Sequence, residues 1–426
     1  MKIAIYFDDT GVKNLDLRYP DKGNPGIGGT EYCYLMLAKH LSIYDQEIET
    51  TIYHYNESNI LPESVNNVII KDKKDCIAKS SESEIDYLLF CTELGKTWYK
   101  LLDTYNQDAM LWAHCFLSIE ELELATSSER VKKVVFVGKQ MYDMYLDHDI
   151  SKKSTYIYNM IVSQSIERQM DENIVLYIGS LVKGKGFDVL ARCWSSIKKE
   201  VPDAKLYVIG TGKLYRRDAK LGKFNVASKE FEEEFIGYLL NEEGMIDKSV
   251  KFLGLLGEEK KYVISKAKVG IINPTAKTET FGISGVEMQA QFIPIATKGS
   301  LGLLDTVIDK KTGLLHNTEK QFIKNIIYLL KNDDINYKMG CNAHDFVISN
   351  FSPEVVMPKW ISLFYNCGNS EKFYDHVNYV TKNGKFIRLA NRFLKDKLKL
   401  KKLPSYVEVE ECLREIKNGR KEKIKS

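Results

Sequence analysis

Short apolar runs alternate with longer amphipathic stretches along most of this chain. The runs lack a polar/apolar alternation, which is typical of parallel strands that are buried on both faces. Between them, apolar residues recur at helical spacing, for example in Thr30–Leu41 and Gln321–Leu330. The predicted strands are Lys2–Phe7, Thr51–Tyr55, Val68–Ile70, Tyr87–Cys91, Met110–His114, Val134–Val137, Ile174–Ile178, Leu206–Ile209, Val250–Leu253, Val269–Ile272 and Ile293–Ala296. This alternation predicts an α/β fold with doubly wound sheets.

The rhythm of strands and helices restarts after Asn159, and 426 residues exceed the size at which a single core stops growing. We therefore predict two Rossmann-like domains that face a central cleft, residues 1–162 and 163–352. A closing helix over 353–367 should return toward the N-terminal domain, with Ser352 as its N-cap and Pro353 in its first turn. Residues 368–426 form a tail.

Composition places the chain among folded proteins, with 44% hydrophobic and 28% charged residues. The formal net charge is only +3, but residues 368–426 hold 16 Lys and Arg against 8 Asp and Glu. The basic character therefore belongs to the tail. Eight cysteines are scattered without a C-x-x-C pair, which predicts reduced thiols in a cytoplasmic protein. The N-terminus does not resemble a signal peptide and no apolar stretch has membrane-spanning length, so any membrane contact should be peripheral.

The segment TETFGISGVEMQAQ, residues 278–291, is the strongest candidate for chemistry. Glu279 and Glu287 flank the small-residue sequence Phe281-Gly282-Ile283-Ser284-Gly285. A helix that begins near Ile283 would present free N–H groups and the positive end of its dipole, which suit a phosphate. Ionised carboxylates accept hydrogen bonds from hydroxyl groups. We predict that a diphosphate binds at the start of this helix, between two carboxylates of which one binds a sugar and the other a ribose.

This segment resembles the E-x7-E signature of retaining GT-B glycosyltransferases, specifically family 4. Glu279, Phe281, Gly282 and Glu287 match it position by position. The resemblance implies hexosyl or N-acetylhexosaminyl transfer, with retention by front-face displacement, from a UDP- or GDP-type donor to a glycan or glycolipid acceptor. It implies a place in cell-surface polysaccharide or lipopolysaccharide biosynthesis. Residues 1–162 would then be the acceptor side, and residues 163–352 would bind the sugar nucleotide.

A second match follows the predicted strand Ile174–Ile178, in the sequence Gly179-Ser180-Leu181-Val182-Lys183-Gly184-Lys185-Gly186-Phe187. It resembles the diphosphate loop of the same family, and Lys185 and Gly186 match. Ser180 stands where the family usually has an arginine. A departing diphosphate needs charge neutralisation. Either Lys183 supplies a second cation, or the site uses Lys185 and helix dipoles alone.

Two further matches come from the N-terminal half. Gly26–Glu31 resembles the family's glycine loop, so Gly28, Gly29 and Thr30 should lie near phosphate or acceptor. A dinucleotide-binding G-x-G-x-x-G would begin directly after the first strand and carry glycine where Glu31 stands, so we reject a dehydrogenase. His114, at a strand end, matches the histidine that the family holds near the donor sugar.

No cofactor and no metal ion are expected. Asp8-Asp9 and Asp333-Asp334 lack the context of a D-x-D metal motif, and the seven histidines are dispersed. The resemblance implies that helix ends and cations act instead. Two alternatives stay open: a catalytically silent GT-B subunit that binds a sugar nucleotide or glycan, which Ser180 makes conceivable, and a GT-B nucleotide-sugar epimerase.

The tail contains a predicted basic amphipathic helix in residues 385–402. Its apolar positions are Phe386, Leu389, Ala390, Phe393 and Leu394. Such a helix suits an anionic membrane surface, here the inner face of the membrane. It could equally be solvated or docked on the protein itself. Nucleic acid is not expected as a partner, because no recognised binding module accompanies the charge.

Overall fold

The computed structural model describes residues 1–163, 166–170, 172–214, 219–367, 384–400 and 403–425. Its strands form two parallel sheets, in the orders β3-β2-β1-β4-β5-β6-β7 and β10-β9-β8-β11-β12-β13. The strands are β1 Lys2–Tyr6, β2 Glu49–His54, β3 Asn66–Ile69, β4 Tyr87–Phe90, β5 Ala109–Ala113, β6 Val131–Phe136, β7 Ser154–Tyr156, β8 Ile174–Ile178, β9 Lys205–Ile209, β10 Val250–Gly254, β11 Val269–Ile271, β12 Ile295–Lys298 and β13 Gly313–His316.

Helices connect most of the parallel strands, while β2 and β3 are joined by a loop without a helix. The α-helices are α1 Gly29–Tyr44, α2 Lys73–Glu82, α3 Gly95–Thr104, α4 Ile119–Ser127, α5 Lys139–Met144, α6 Phe187–Glu200, α7 Lys229–Phe235, α8 Lys260–Ile264, α9 Ile283–Gln289, α10 Leu303–Thr306, α11 Glu319–Lys331, α12 Asp333–Phe351, α13 Pro353–Tyr365, α14 Lys385–Lys397 and α15 Tyr406–Lys425.

The second sheet is buried on both faces. Within β8, Val175 and Tyr177 contribute to one hydrophobic cluster. Ile174, Leu176 and Ile178 contribute to another. Because successive side chains of a strand point to opposite faces, the two clusters cover opposite sides of the sheet. This explains why the strand is a continuous apolar run. The polar loops of this half of the chain lie at the ends of the strands.

The predicted α/β architecture with parallel sheets is confirmed. All eleven predicted strands overlap observed ones, α9 begins at the predicted Ile283, and α13 begins at the predicted Pro353. The prediction missed β7 and β13, which are edge strands. The tail segment 368–383 and residues 401–402 lie outside the described residues.

The chain divides into two compact units by its internal contacts. The first consists of residues 1–6, 70–157 and 360–426, and the second consists of residues 7–69 and 158–359. One break, between Ile157 and Tyr158, lies close to the predicted domain boundary after residue 162. The predicted roles of the two halves stay predictions.

Candidate functional site

The loop after β8 is fixed in place by contacts to the loop after β11. The carbonyl oxygen of Gly184 accepts hydrogen bonds from Asn273 Nδ2 at 3.1 Å and from Thr278 Oγ1 at 3.1 Å. The Tyr177 hydroxyl donates to the Lys185 carbonyl at 3.1 Å. Gly186 caps α6 with a φ of 67°, and a Cβ there would lie 2.7 Å from Thr275 Cγ2. Only glycine meets both requirements.

These contacts bring together the two residues that the sequence predicted from separate motifs. Lys185 Nζ forms an ion pair with the Glu279 carboxylate, and both side chains are mostly buried. Asn273 Nδ2 lies 3.5 Å from the same carboxylate oxygen, Oε1. The site therefore presents an ammonium group and a carboxylate side by side. The first can neutralise a phosphate, and the second can accept a hydrogen bond from a hydroxyl group.

The residue at the family's arginine position does not replace its charge. Ser180 is buried, and its hydroxyl donates to the Thr211 carbonyl oxygen at 3.2 Å. Lys183, one of the two options left open by the sequence, forms an ion pair with the carboxylate of Glu234. In this structure Lys183 is therefore engaged elsewhere, and Lys185 is the cation that the loop directs to Glu279.

The start of α9 lies at the end of β8. Ser284 Oγ donates to the Ile178 carbonyl oxygen at 3.2 Å, and Gly282 precedes the helix with a φ of 82°. A Cβ on Gly285 would lie 2.4 Å from Ile272 Cδ1. The Gly285 N–H donates to the Gly282 carbonyl at 2.9 Å. The predicted diphosphate site uses free N–H groups at the start of this helix. The Gly285 N–H is engaged within the turn, and those of Ile283 and Ser284 remain candidates.

At the other end of this helix, Glu287 has a partner that the sequence did not reveal. Lys260 Nζ lies 2.6 Å from Glu287 Oε1, and the two side chains are only 9% and 8% exposed. They line a cavity of about 20 Å³ together with Tyr32 and Gln291. This volume holds about one water molecule, so binding of a ribose at Glu287 requires neighbouring side chains to move. Burial and the nearby Glu287 carboxylate raise the pKa of Tyr32.

The glycine loop before α1 contacts the same segment. Position 29 faces the start of α9, because a Cβ there would lie 3.3 Å from Ile283 Cγ2. A Cβ on Gly28 would lie 2.1 Å from Glu31 Oε2, so this glycine leaves room for the glutamate side chain. Burial raises the pKa of Glu31, and the charge of Asp8 raises it further. The structure thus brings Gly29 to the E-x7-E segment, and the predicted position of Gly28, Gly29 and Thr30 near phosphate or acceptor stays a prediction.

His114 belongs to the first compact unit, directly after β5. It is buried, and its ring centroid lies 4.5 Å from that of Trp112. Burial lowers the pKa of His114 to about 3. The imidazole is therefore neutral at pH 7. It can exchange a hydrogen bond with a sugar hydroxyl, but it cannot neutralise a diphosphate.

This low pKa predicts a loss of stability in mild acid. In the unfolded chain His114 has its ordinary pKa of 6.5, so the unfolded chain takes up a proton there below that pH. The folded protein takes up this proton only near pH 3. At pH 5 this difference costs about 2 kcal/mol of folding free energy. Between pH 7 and pH 5, the free energy of unfolding should therefore fall by about 2 kcal/mol less in His114→Asn than in the wild type, as measured by urea unfolding. Equal losses in both proteins would contradict the burial of a neutral histidine.

Gly302 supports the segment that carries Glu279. Its N–H donates to the Glu279 carbonyl at 3.1 Å, and a Cβ at this position would lie 2.0 Å from the Thr280 carbonyl oxygen. Gly302→Ala should lower the free energy of unfolding by about 2 kcal/mol, because backbone must shift to admit the methyl group. The control is Gly237→Ala, where a Cβ would meet nothing within 4 Å. Equal urea midpoints for the two variants would contradict the close approach.

Metal ligation was not expected. Among the residues that the structure describes, no group of three or more His, Cys, Asp or Glu side chains converges as a metal site would require. Whether the reaction needs a metal ion is a separate question, and metal independence stays a prediction.

Comparisons with known proteins relate the part of the chain that carries Lys185, Glu279 and Glu287 to one family. Residues 161–346 match the family model described as "Glycosyl transferases group 1". The poly(ribitol-phosphate) alpha-N-acetylglucosaminyltransferase of Staphylococcus aureus (strain COL) is 24% identical over 379 residues, which are 84% of this chain and 66% of that protein. An uncharacterized glycosyltransferase of Methanocaldococcus jannaschii is 24% identical over 248 residues, which are 58% of this chain and 62% of that protein. The chain thus spans slightly less than two thirds of the length of both relatives.

Solved structures agree on the fold. Anabaena HepE in complex with UDP-glucose superposes with a TM-score of 0.63 at 12% identity, over 86% of this chain and all of that chain. The fold is GT-B, and the predicted relation to GT-B glycosyltransferases is confirmed. The narrower assignment to family 4 stays a prediction.

Proposed function

We propose that this chain, whose residues 161–346 match the glycosyl transferases group 1 family, transfers a sugar from a nucleotide diphosphate donor to a glycan or lipid-linked acceptor. The observation that carries the proposal is the ion pair between Lys185 and Glu279 beside the start of α9. It supports the proposal because it offers, side by side, a cation for a diphosphate and a hydrogen-bond acceptor for a sugar hydroxyl.

In the proposed reaction, the bond between the anomeric carbon and the diphosphate oxygen breaks. The acceptor hydroxyl oxygen forms the new bond on the same face, and its proton passes to the departing phosphate. Lys185 neutralises the negative charge that develops on the departing diphosphate and so stabilises the transition state. Glu279 holds a hydroxyl group of the donor sugar and so orients the anomeric carbon. Retention is what the E-x7-E resemblance implies.

Glu287 and Lys260 belong to the nucleotide end of the proposed site. A ribose hydroxyl can donate to the Glu287 carboxylate while the ion pair with Lys260 holds that carboxylate in place. His114 is proposed to bind the donor sugar as a neutral imidazole. Ser180 and Gly186 shape the loop that carries Lys185, and Phe281 and Gly282 shape the turn before α9.

The donor class and the biological setting are supported by relatives. A solved structure with this fold holds UDP-glucose, and one relative is described as an N-acetylglucosaminyltransferase acting on poly(ribitol-phosphate). We therefore favour a UDP-linked hexose or N-acetylhexosamine over a GDP-linked one, and an acceptor in cell-surface polysaccharide or lipopolysaccharide synthesis. In the described chain no helix is both long and apolar enough to cross a bilayer.

The test begins with thermal-shift screening of UDP- and GDP-sugars against the purified chain. The donor that stabilises the protein most is then offered with water and with polyol-phosphate or glycan acceptors, and the anomeric configuration of the product is read by NMR. A product with inverted configuration would overturn the retaining assignment. Conversion of the donor to an epimer without any acceptor would favour the epimerase.

A second candidate is the catalytically silent binding subunit. The observation that favours it is Ser180, whose hydroxyl donates to a backbone carbonyl and brings no charge to the site. Donor binding in the micromolar range without hydrolysis or transfer to any acceptor would support this candidate. Turnover that Lys185→Ala abolishes would exclude it.

A further inference from the structure

Helix α14 is attached to the protein by its polar side. Asn391 Nδ2 donates to Asp147 Oδ2 at 2.8 Å, Arg392 Nη1 donates to Ser151 Oγ at 2.6 Å, and Lys395 Nζ donates to the Asp147 carbonyl at 2.8 Å. All of these residues belong to the first compact unit. The basic side chains that made this helix a candidate for an anionic surface are therefore partly used to dock it.

The apolar side of α14 points the other way. Phe386 is 79% exposed and Phe393 is 58% exposed. At about 100° per residue, Phe386, Leu389 and Phe393 share one side of the helix, and Arg388, Arg392 and Lys395 lie roughly opposite. We call the exposed set the outer face of α14. It consists of Phe386, Leu389 and Phe393, and Ile387 at its edge and Leu398 and Leu400 just beyond the helix are exposed as well.

This arrangement is the reverse of an ordinary surface helix, which buries its apolar side and exposes its charges. Single exposed apolar residues need no explanation, but a contiguous set on one helix marks an interaction site. In α15, which contacts α14 through Arg388 and Tyr406, Val409, Leu413 and Ile416 are also exposed. The outer face therefore requires a partner that is apolar where these side chains contact it.

Charge distinguishes between the possible partners. Lys397 and Lys399 are exposed at the end of the outer face, and the tail holds twice as many basic as acidic residues. Contact between two copies of this surface would bring like charges together. An anionic bilayer offers apolar chains below a layer of negative headgroups, which fits both features at once.

We propose that the outer face of α14 inserts into the interfacial region of a membrane that contains anionic lipids, with the helix parallel to the surface. Phe386 and Phe393 enter the acyl boundary, while Lys397 and Lys399 contact headgroups. The polar contacts with Asp147 and Ser151 hold the helix in this orientation before it meets the membrane. The sequence alone suggested a membrane helix, and the structure assigns which side enters.

The test is co-sedimentation of the full chain with large vesicles of phosphatidylcholine, with and without 30 mol% phosphatidylglycerol. We expect binding to the anionic vesicles, weak binding to the neutral ones, and a marked decrease in 0.5 M NaCl because exposed charges are screened. The variant Phe386→Ser/Phe393→Ser should lower the partition coefficient by about 10-fold or more. Its circular dichroism should match the wild type, since both side chains are exposed.

The matched control is Tyr328→Ser/Ile335→Ser, which removes two exposed apolar side chains from α11 and α12. It should bind vesicles as the wild type does. Equal binding by Phe386→Ser/Phe393→Ser, or no binding to anionic vesicles, would overturn the proposal. A dimer in light scattering that this variant converts to a monomer would assign the outer face to self-association instead. None of these outcomes depends on glycosyl transfer.

Discussion

Lys185→Ala is expected to lower kcat about 100-fold or more, and Glu279→Ala should have an effect of similar size. Each variant removes one charged group that is oriented at the proposed reaction centre, and losses of such groups typically cost this much. The double variant should be little worse than either single one, because Lys185 and Glu279 form one ion pair. Initial rates of transfer, or of donor hydrolysis, provide the measurement.

The chain offers a control for this experiment on the same loop. Lys183 pairs with Glu234, on a more exposed part of the surface, so Lys183→Ala removes an equal charge two residues away. Its turnover should stay within about twofold of the wild type, because exposed ion pairs contribute little. Near-normal turnover in Lys185→Ala would remove that ammonium group from the mechanism. A large loss in Lys183→Ala would show that it reaches the diphosphate.

Lys260→Met is expected to lower the free energy of unfolding by about 3–5 kcal/mol. It leaves the Glu287 carboxylate buried without its cation, and an unpaired buried charge costs that much. The double variant Lys260→Met/Glu287→Gln should recover most of the loss, because the remaining amide carries no charge. Calorimetry or urea unfolding of the wild type, Lys260→Met, Glu287→Gln and the double variant completes a double-mutant cycle.

The adjacent Lys261 provides the control for charge alone. Lys261 Nζ lies 3.8 Å from Oε2 of the half-exposed Glu258. Lys261→Met should therefore change the free energy of unfolding by less than about 1 kcal/mol. Equal stabilities of Lys260→Met and Lys261→Met would contradict a buried pair. Donor affinity adds a second readout, since Lys260→Met should weaken nucleotide binding if Glu287 holds the ribose.

The sequence predicted the interior strands well, because a strand buried on both faces must be a continuous apolar run. The same reasoning found the edge strands β3 and β10 but missed the other two, β7 and β13. β7 has only three residues, none of them fully buried, and β13 begins with glycine and contains just two leucines. Neither has a run long enough to be distinguished from a loop. Edge strands are defined by the neighbour they pair with, which is a property of the tertiary fold.

The candidate site was predictable where it rests on motifs and unpredictable where it rests on packing. Glu279 and Lys185 are 94 positions apart, yet each lies in a recognisable pattern, and the structure joins them. Lys260 lies in the sequence Glu258-Glu259-Lys260-Lys261, where nothing distinguishes the lysine that pairs with a buried carboxylate from the one that pairs with a half-exposed carboxylate. The outer face of α14 is similar: periodicity predicts an amphipathic helix, but it does not say which side docks.

The hydrogen bonds that fix the loops have a consequence for protein engineering. The side chains of Asn273, Thr278 and Ser284 each donate a hydrogen bond to a backbone carbonyl of a neighbouring segment, so these side chains fix the shape of the loops. Libraries designed to change sugar preference should leave these three positions unaltered and vary their neighbours. Otherwise most clones would lose catalytic alignment before any new substrate could be tried.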